Sequence, residues 1–331
     1  MACKNNSKKG IKKLKSLIFT SKTDLNNFRS KIEESFYTPF LPNHVECTEK
    51  SYGSVKCDFL SPEIYSSKRI VFYVHGGCFV AGSKRSYRGF CSLLANKSFS
   101  RVVVPEYRLA PTHAFPSAIE DIQTSFRALF TEEQIARSLE KTENIPENSL
   151  LPEIVIAADG AGATIALALV LNLRERYRKC IKKIVLFSPW LNVSPNSELL
   201  SGKKSDDGVM LTDCLLSSSQ AYTYSSNLEN PQVSPIFATD ESLKDFPEVY
   251  IQIGSKEILL KDVKNFKNRL ESLGNVCTVQ EYKNMPHLFQ LDDEDFLEAY
   301  DALDDFSAQI VDKNFENQKK FENQPRLEKQ I

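Results

Sequence analysis

The chain carries no excess of either charge: 42 Lys and Arg stand against 43 Asp and Glu, a formal net charge of -1. Without a basic face or a nucleic-acid-binding motif, DNA and RNA are excluded as expected partners. There is no CxxC pair. The eight cysteines (Cys3, Cys47, Cys57, Cys78, Cys91, Cys180, Cys214 and Cys277) are scattered singly. That spacing excludes the usual zinc sites, and neither a metal nor a cofactor is expected. No apolar run approaches the roughly 18 residues that a membrane-spanning helix needs. No secretory leader and no internal repeat is visible. Free thiols in a reducing, cytoplasmic setting are the expectation.

What is present is ordinary globular material, 331 residues with 41% hydrophobic and 26% charged. That length suits one large α/β domain with a cap. Short apolar runs alternate with helical stretches. Ile70–Val74, Val102–Val104, Ile154–Ala157, Ile184–Phe187, Val249–Ile253 and Val276–Tyr282 read as strands. Strands separated by helices predict right-handed crossovers and a mostly parallel central sheet flanked by helices.

Residues 1–45 are expected to be helical and 46–311 to form the main domain, with a polar, proline-interrupted insertion at about 192–244. The first segment and the insertion are read as a helical cap over the carboxyl ends of the strands, where open α/β sheets place their sites. Thr131–Asn148 reads as a charged surface excursion, and 312–331 as a polar tail. Lys4, Lys8, Lys9, Lys12, Lys13 and Lys15 surround Ile11, Leu14, Leu17, Ile18 and Phe19. This pattern fits a cap helix with its lysines in water. It also fits a helix in weak, peripheral contact with an anionic membrane surface.

Four pieces carry chemistry or support it. His75-Gly76-Gly77-Cys78-Phe79 follows a strand, and its glycines allow backbone N–H groups to point into a pocket. Pro105 through Pro111, with Phe115-Pro116 and Glu120-Asp121, reads as scaffolding. Ala157-Ala158-Asp159-Gly160-Ala161-Gly162-Ala163 joins a buried strand to the apolar stretch Ala161–Leu173. Small residues on both sides are what a tight strand-to-helix elbow requires. Glu257 and His287 follow successive strands, so a carboxylate can orient an imidazole above the sheet.

Together these pieces resemble the hormone-sensitive-lipase-like family of α/β hydrolases. The match runs through His75-Gly76-Gly77, Tyr107-Arg108-Leu109-Ala110-Pro111, Phe115-Pro116, the elbow, Ser188-Pro189-Trp190, Asn230-Pro231, Ser234-Pro235, Gly254-Ser255 and His287, over roughly residues 70 to 310. The resemblance implies the α/β-hydrolase fold and carboxylesterase or lipase chemistry on acyl esters. The same scaffold also serves a plant hormone receptor with an impaired triad.

By resemblance, Glu257 is the acid, His287 the base, and Gly76, Gly77, Cys78 and Ala161 the oxyanion hole. The family's elbow reads Gly-Asp-Ser-Ala-Gly-Gly, whereas here Gly160 stands at the nucleophile position. Glycine accepts a strained elbow without steric cost and has no oxygen with which to attack. Three readings follow: an impaired hydrolase that binds a small apolar or ester-like ligand; a residual hydrolase using water at His287 or Asp159 as nucleophile; and a structural or interaction protein.

Overall fold

The computed structural model describes residues 2–15, 18–38, 40–42, 44–65, 69–139, 151–194 and 208–311. Its centre is an eight-stranded sheet of order β1-β2-β4-β3-β5-β6-β7-β8. The strands are β1 (Val45–Tyr52), β2 (Val55–Pro62), β3 (Arg69–Val74), β4 (Arg101–Pro105), β5 (Glu153–Asp159), β6 (Ile181–Phe187), β7 (Val249–Gly254) and β8 (Cys277–Tyr282). From β4 across to β8 every neighbouring pair is parallel, and β1 and β2 add an antiparallel edge.

Continuous apolar runs mark β3, β4 and β5 because parallel strands are covered on both faces. Alternate residues go to opposite sides, as the pleat requires. Ile70, Phe72 and Val74 join one core with Phe126, Leu129, Leu167 and Phe266; Val71 and Tyr73 join another with Leu94, Leu303 and Phe306. Helices α4 (Ser117–Leu139), α5 (Gly160–Asn172) and α8 (Leu260–Ser272) therefore cover one face. Helices α3 (Lys84–Ser98) and α9 (Glu298–Ile310) cover the other. The short α6 (Glu175–Arg178) links α5 to β6.

Two segments differ from their sequence reading. The β1–β2 hairpin was hidden because β1 is mostly polar at an edge, with only Tyr52 fully buried; Gly53-Ser54 makes its two-residue turn. Residues 131–139 lie at the surface apart from Glu133, but they are helical and form the end of α4. Glu133 continues the buried stripe of Phe126, Leu129 and Phe130, and Arg101 satisfies both its oxygens at 2.7 and 2.8 Å. A charge at a core-facing position disguised the helix. Residues 140–148, and the tail 312–331, lie outside the described residues.

Helices α1 (Ala2–Lys15), α2 (Leu25–Phe36) and α7 (Thr212–Tyr222) share a cavity with the loop after β3 and the turn after β5. The part of the insertion at 195–207 is outside the described residues. α1 docks on the segment before α9. Leu14 is buried, while Lys9 reaches Asp295 at 3.1 Å and Lys13 reaches the buried Asp292 at 2.9 Å. Two lysines of the basic stretch are thus engaged by the protein itself. No helix among the described residues is long and apolar enough to cross a membrane.

Candidate functional site

The loop after β3 is fixed from below. His75 is fully buried and stacks between Tyr107 at 4.2 Å and Tyr87 at 5.2 Å. The Tyr107 hydroxyl donates to the His75 carbonyl at 2.6 Å, and His75 Nδ1 lies 2.8 Å from the Gly76 carbonyl. Burial pushes the imidazole down to about 4, so it stays neutral near pH 7. Its role is to hold the loop. Arg108, from the same scaffolding motif, grips Asp121 with contacts of 2.8 to 3.1 Å.

Asp159 ends β5 as a second strut. It is fully buried and accepts from the hydroxyls of Tyr73 and Tyr87, both at 2.8 Å, and from the Gly76 amide at 2.9 Å. Burial raises its carboxyl to about 6 against the pull of these donors. A Cβ on Gly76 would run into this carboxylate, which explains why the loop needs glycine there. The arrangement corrects two expectations. The Gly76 amide is turned toward Asp159 rather than into the pocket, so it leaves the expected oxyanion set. Asp159 does not line the pocket and is poorly placed to attack a substrate there.

The chain then turns sharply. Asp159 is extended at φ -126° and Gly160 is left-handed at φ +47°, where α5 begins. The Gly160 carbonyl accepts from the Trp190 amide at 3.0 Å, which fixes the turn. A Cβ at 160 would stand 3.9 Å from His287 Nε2 and 3.8 Å from a Leu288 methyl, ordinary contact distances.

Glu257 and His287 meet as the strand order predicts. His287 Nδ1 donates to Glu257 Oε2 at 2.8 Å, and both side chains are buried. The other carboxylate oxygen, Oε1, accepts from the Ser188 hydroxyl at 2.7 Å and the Gly254 amide at 2.6 Å. Burial raises the Glu257 carboxyl above its ordinary range, and His287 and these donors pull it back. Ser188 also receives the Leu288 amide at 3.3 Å, so it braces both acid and base. Sequence reasoning gave Ser188 no role. Its signals were its place in the matching Ser188-Pro189-Trp190 stretch and its position just after a strand, like Glu257.

Non-glycine residues with left-handed backbone gather here: Cys78, Ser188 and Leu288 at φ 58°, 45° and 58°. Each costs of order 1–3 kcal/mol and persists only where the surroundings hold it. Above them lies an apolar cavity of about 60 Å³. At roughly 10–15 Å³ per water-sized occupant, it has room for a few such occupants. Its floor is Gly77, Cys78, Gly160, Ala161, His287 and Leu288. The N-terminal helices supply Leu14, Ile32 and Phe36, and the insertion supplies Val209, Met210 and Cys214. No cluster of metal-ligating groups occurs among the described residues.

The profile of a protein family described as having the alpha/beta hydrolase fold matches residues 71–291. An esterase of Acinetobacter venetianus is 31% identical over 244 residues, 73% of this chain and 74% of that protein. An acetyl-hydrolase of Streptomyces hygroscopicus is 26% identical over 221 residues, 67% of this chain and 68% of that protein. The crystal structure of an esterase from the bacterial hormone-sensitive lipase family superposes with a TM-score of 0.79 at 22% identity. It covers 92% of this chain and 97% of its own.

Proposed function

Because the chain belongs to the family of α/β-hydrolase-fold proteins, which includes esterases, we propose that it is an esterase-type scaffold without the ordinary acyl-enzyme route. In this reading it holds a small apolar or ester-like ligand beneath its cap. The carrying observation is Gly160 at the tip of the elbow, at a point where an added Cβ would lie 3.9 Å from His287 Nε2. A serine hydrolase needs an oxygen at that tip to attack the carbonyl and a base to take its proton. Glycine supplies none. Loss of such a nucleophile costs on the order of a million-fold in turnover, leaving roughly 10³–10⁴-fold over water from binding and the oxyanion hole.

The remaining parts support ligand binding. The amides of Gly77, Cys78 and Ala161 belong to residues of the cavity floor, where a carbonyl oxygen would seek donors. The apolar wall from the N-terminal helices and the insertion suits the acyl side.

One observation favours a second reading, weak hydrolysis by water. The Glu257–His287 pair is intact and separately braced by Ser188 and Gly254, an investment that binding alone does not call for. A water filling the space of the missing hydroxyl would give its proton to His287. Assaying p-nitrophenyl butyrate with the native protein and with His287→Ala separates the readings. No turnover in either supports the inactive binder. Turnover that falls in the variant supports water attack. A fluorophosphonate adduct on an elbow residue would refute both, since each denies a nucleophile there.

A further inference from the structure

Two thiols from different parts of the fold meet in the wall of the cavity. Cys78 sits in the loop after β3 and Cys214 in the first turn of α7, and both line the cavity. Their sulfurs are 3.6 Å apart, and Cys214 Sγ is 4.0 Å from the Ser218 hydroxyl. A disulfide bond measures about 2.05 Å. Closing the gap therefore needs about 1.5 Å of movement, shared between a side chain on a loop and one on a cap helix.

We propose that Cys78 and Cys214 form a redox latch, which an oxidant of the peroxide class closes into a disulfide fastening α7 to the oxyanion-side loop. The inference does not depend on whether the site hydrolyses anything. The two sulfurs are chemically unlike. The two thiols lie within hydrogen-bonding reach of each other, and that contact draws the Cys78 thiol down and pushes the Cys214 thiol up. Cys78 is therefore the attacking thiolate. The other described thiols, Cys47, Cys57, Cys91, Cys180 and Cys277, are pushed up by burial and serve as internal controls.

The chemistry balances in two steps. Cys78 thiolate attacks one oxygen of hydrogen peroxide, the O–O bond breaks, and hydroxide leaves and takes up a proton as water. The sulfur of Cys78 is now a sulfenic acid. Cys214 then attacks that sulfur, the S–S bond forms, and the hydroxyl leaves as a second water. Two thiols are oxidised by two electrons and one peroxide is reduced to two waters. A thiol reductant reverses the link.

The test treats the full-length, reduced protein with hydrogen peroxide, quenches it, and digests it without reduction. The expected result is a loss of about 2 Da and one crosslinked peptide pair joining positions 78 and 214, reversed by dithiothreitol. Amide exchange over 212–222 should slow by roughly threefold or more in the oxidised form, because the link suppresses local opening of α7. In Cys214→Ser the resolving partner is gone, so dimedone should trap Cys78 as its sulfenic acid. Stable over-oxidation of Cys78 in the native protein without a crosslink would overturn the latch. So would a disulfide elsewhere, or a crosslink that leaves exchange over 212–222 unchanged. The native-protein measurements decide the matter even where the variant fails to fold.

Discussion

Gly160→Ser adds one CH₂OH group at the elbow, and its consequences can be worked through in advance. The new Cβ meets Leu288 at 3.8 Å and His287 Nε2 at 3.9 Å, so nothing must move to admit it. An oxygen one bond further out can reach the imidazole, whose other nitrogen is already held by Glu257 at 2.8 Å. The nucleophile, base and acid would then be complete. Restoring the covalent route should raise turnover of p-nitrophenyl butyrate by at least about 10³-fold, toward the ~10⁶-fold that nucleophile loss removes. The variant should also take one fluorophosphonate, at position 160. The cost lies in the backbone. At φ +47° a serine is strained by about 1–3 kcal/mol where glycine is not. The unfolding midpoint should therefore fall by roughly 1–4 °C. Gain of activity with loss of stability is the expected pair. A folded variant that gains neither activity nor label would refute the placement of residue 160 opposite the imidazole. An unchanged midpoint would refute the claim that the elbow is strained.

Three more predictions follow from the same geometry. In a Gly160→Ser background, Glu257→Gln should lower kcat by about 10²–10⁴-fold with little change in KM, because the amide holds the wrong tautomer of His287; steady-state kinetics check this. Burial depresses His75 to about 4 while an unfolded histidine titrates near 6.5. Between these values the unfolded chain binds more protons, so stability is full above pH 6.5 and is lost as pH falls toward 4. His75→Phe should flatten that acid limb by on the order of 3 kcal/mol, measured by urea unfolding at pH 4.5 and 7. Lys13→Ala leaves the buried Asp292 without its ammonium partner at 2.9 Å. The loss should be about 1–3 kcal/mol in urea unfolding, discounted because Lys13 is partly exposed.

Much of this protein was legible in one dimension. Parallel strands buried on both faces must be written as unbroken apolar runs, so β3 through β8 were visible to within three residues at either end. The elbow was visible because only small residues fit where α5 leaves β5. Glu257 and His287 were visible because each follows a strand, and carboxyl ends of neighbouring strands converge. Local chemistry and period decided these features, and both are written in residue order.

Tertiary structure decided the rest. The polar edge strand β1 has no apolar face to announce it. Glu133 looks like solvent-facing charge until Arg101 arrives from another element to neutralise it. That the Gly76 amide and three donors in all are spent on Asp159, that Ser188 braces Glu257 and His287 alike, and that Cys78 lies beside Cys214 all depend on contacts between residues distant in the chain. Spacing along a sequence reveals which side of a strand or helix a residue occupies. Only the folded chain fixes which distant donor, acid or thiol it meets, because that choice is made by packing.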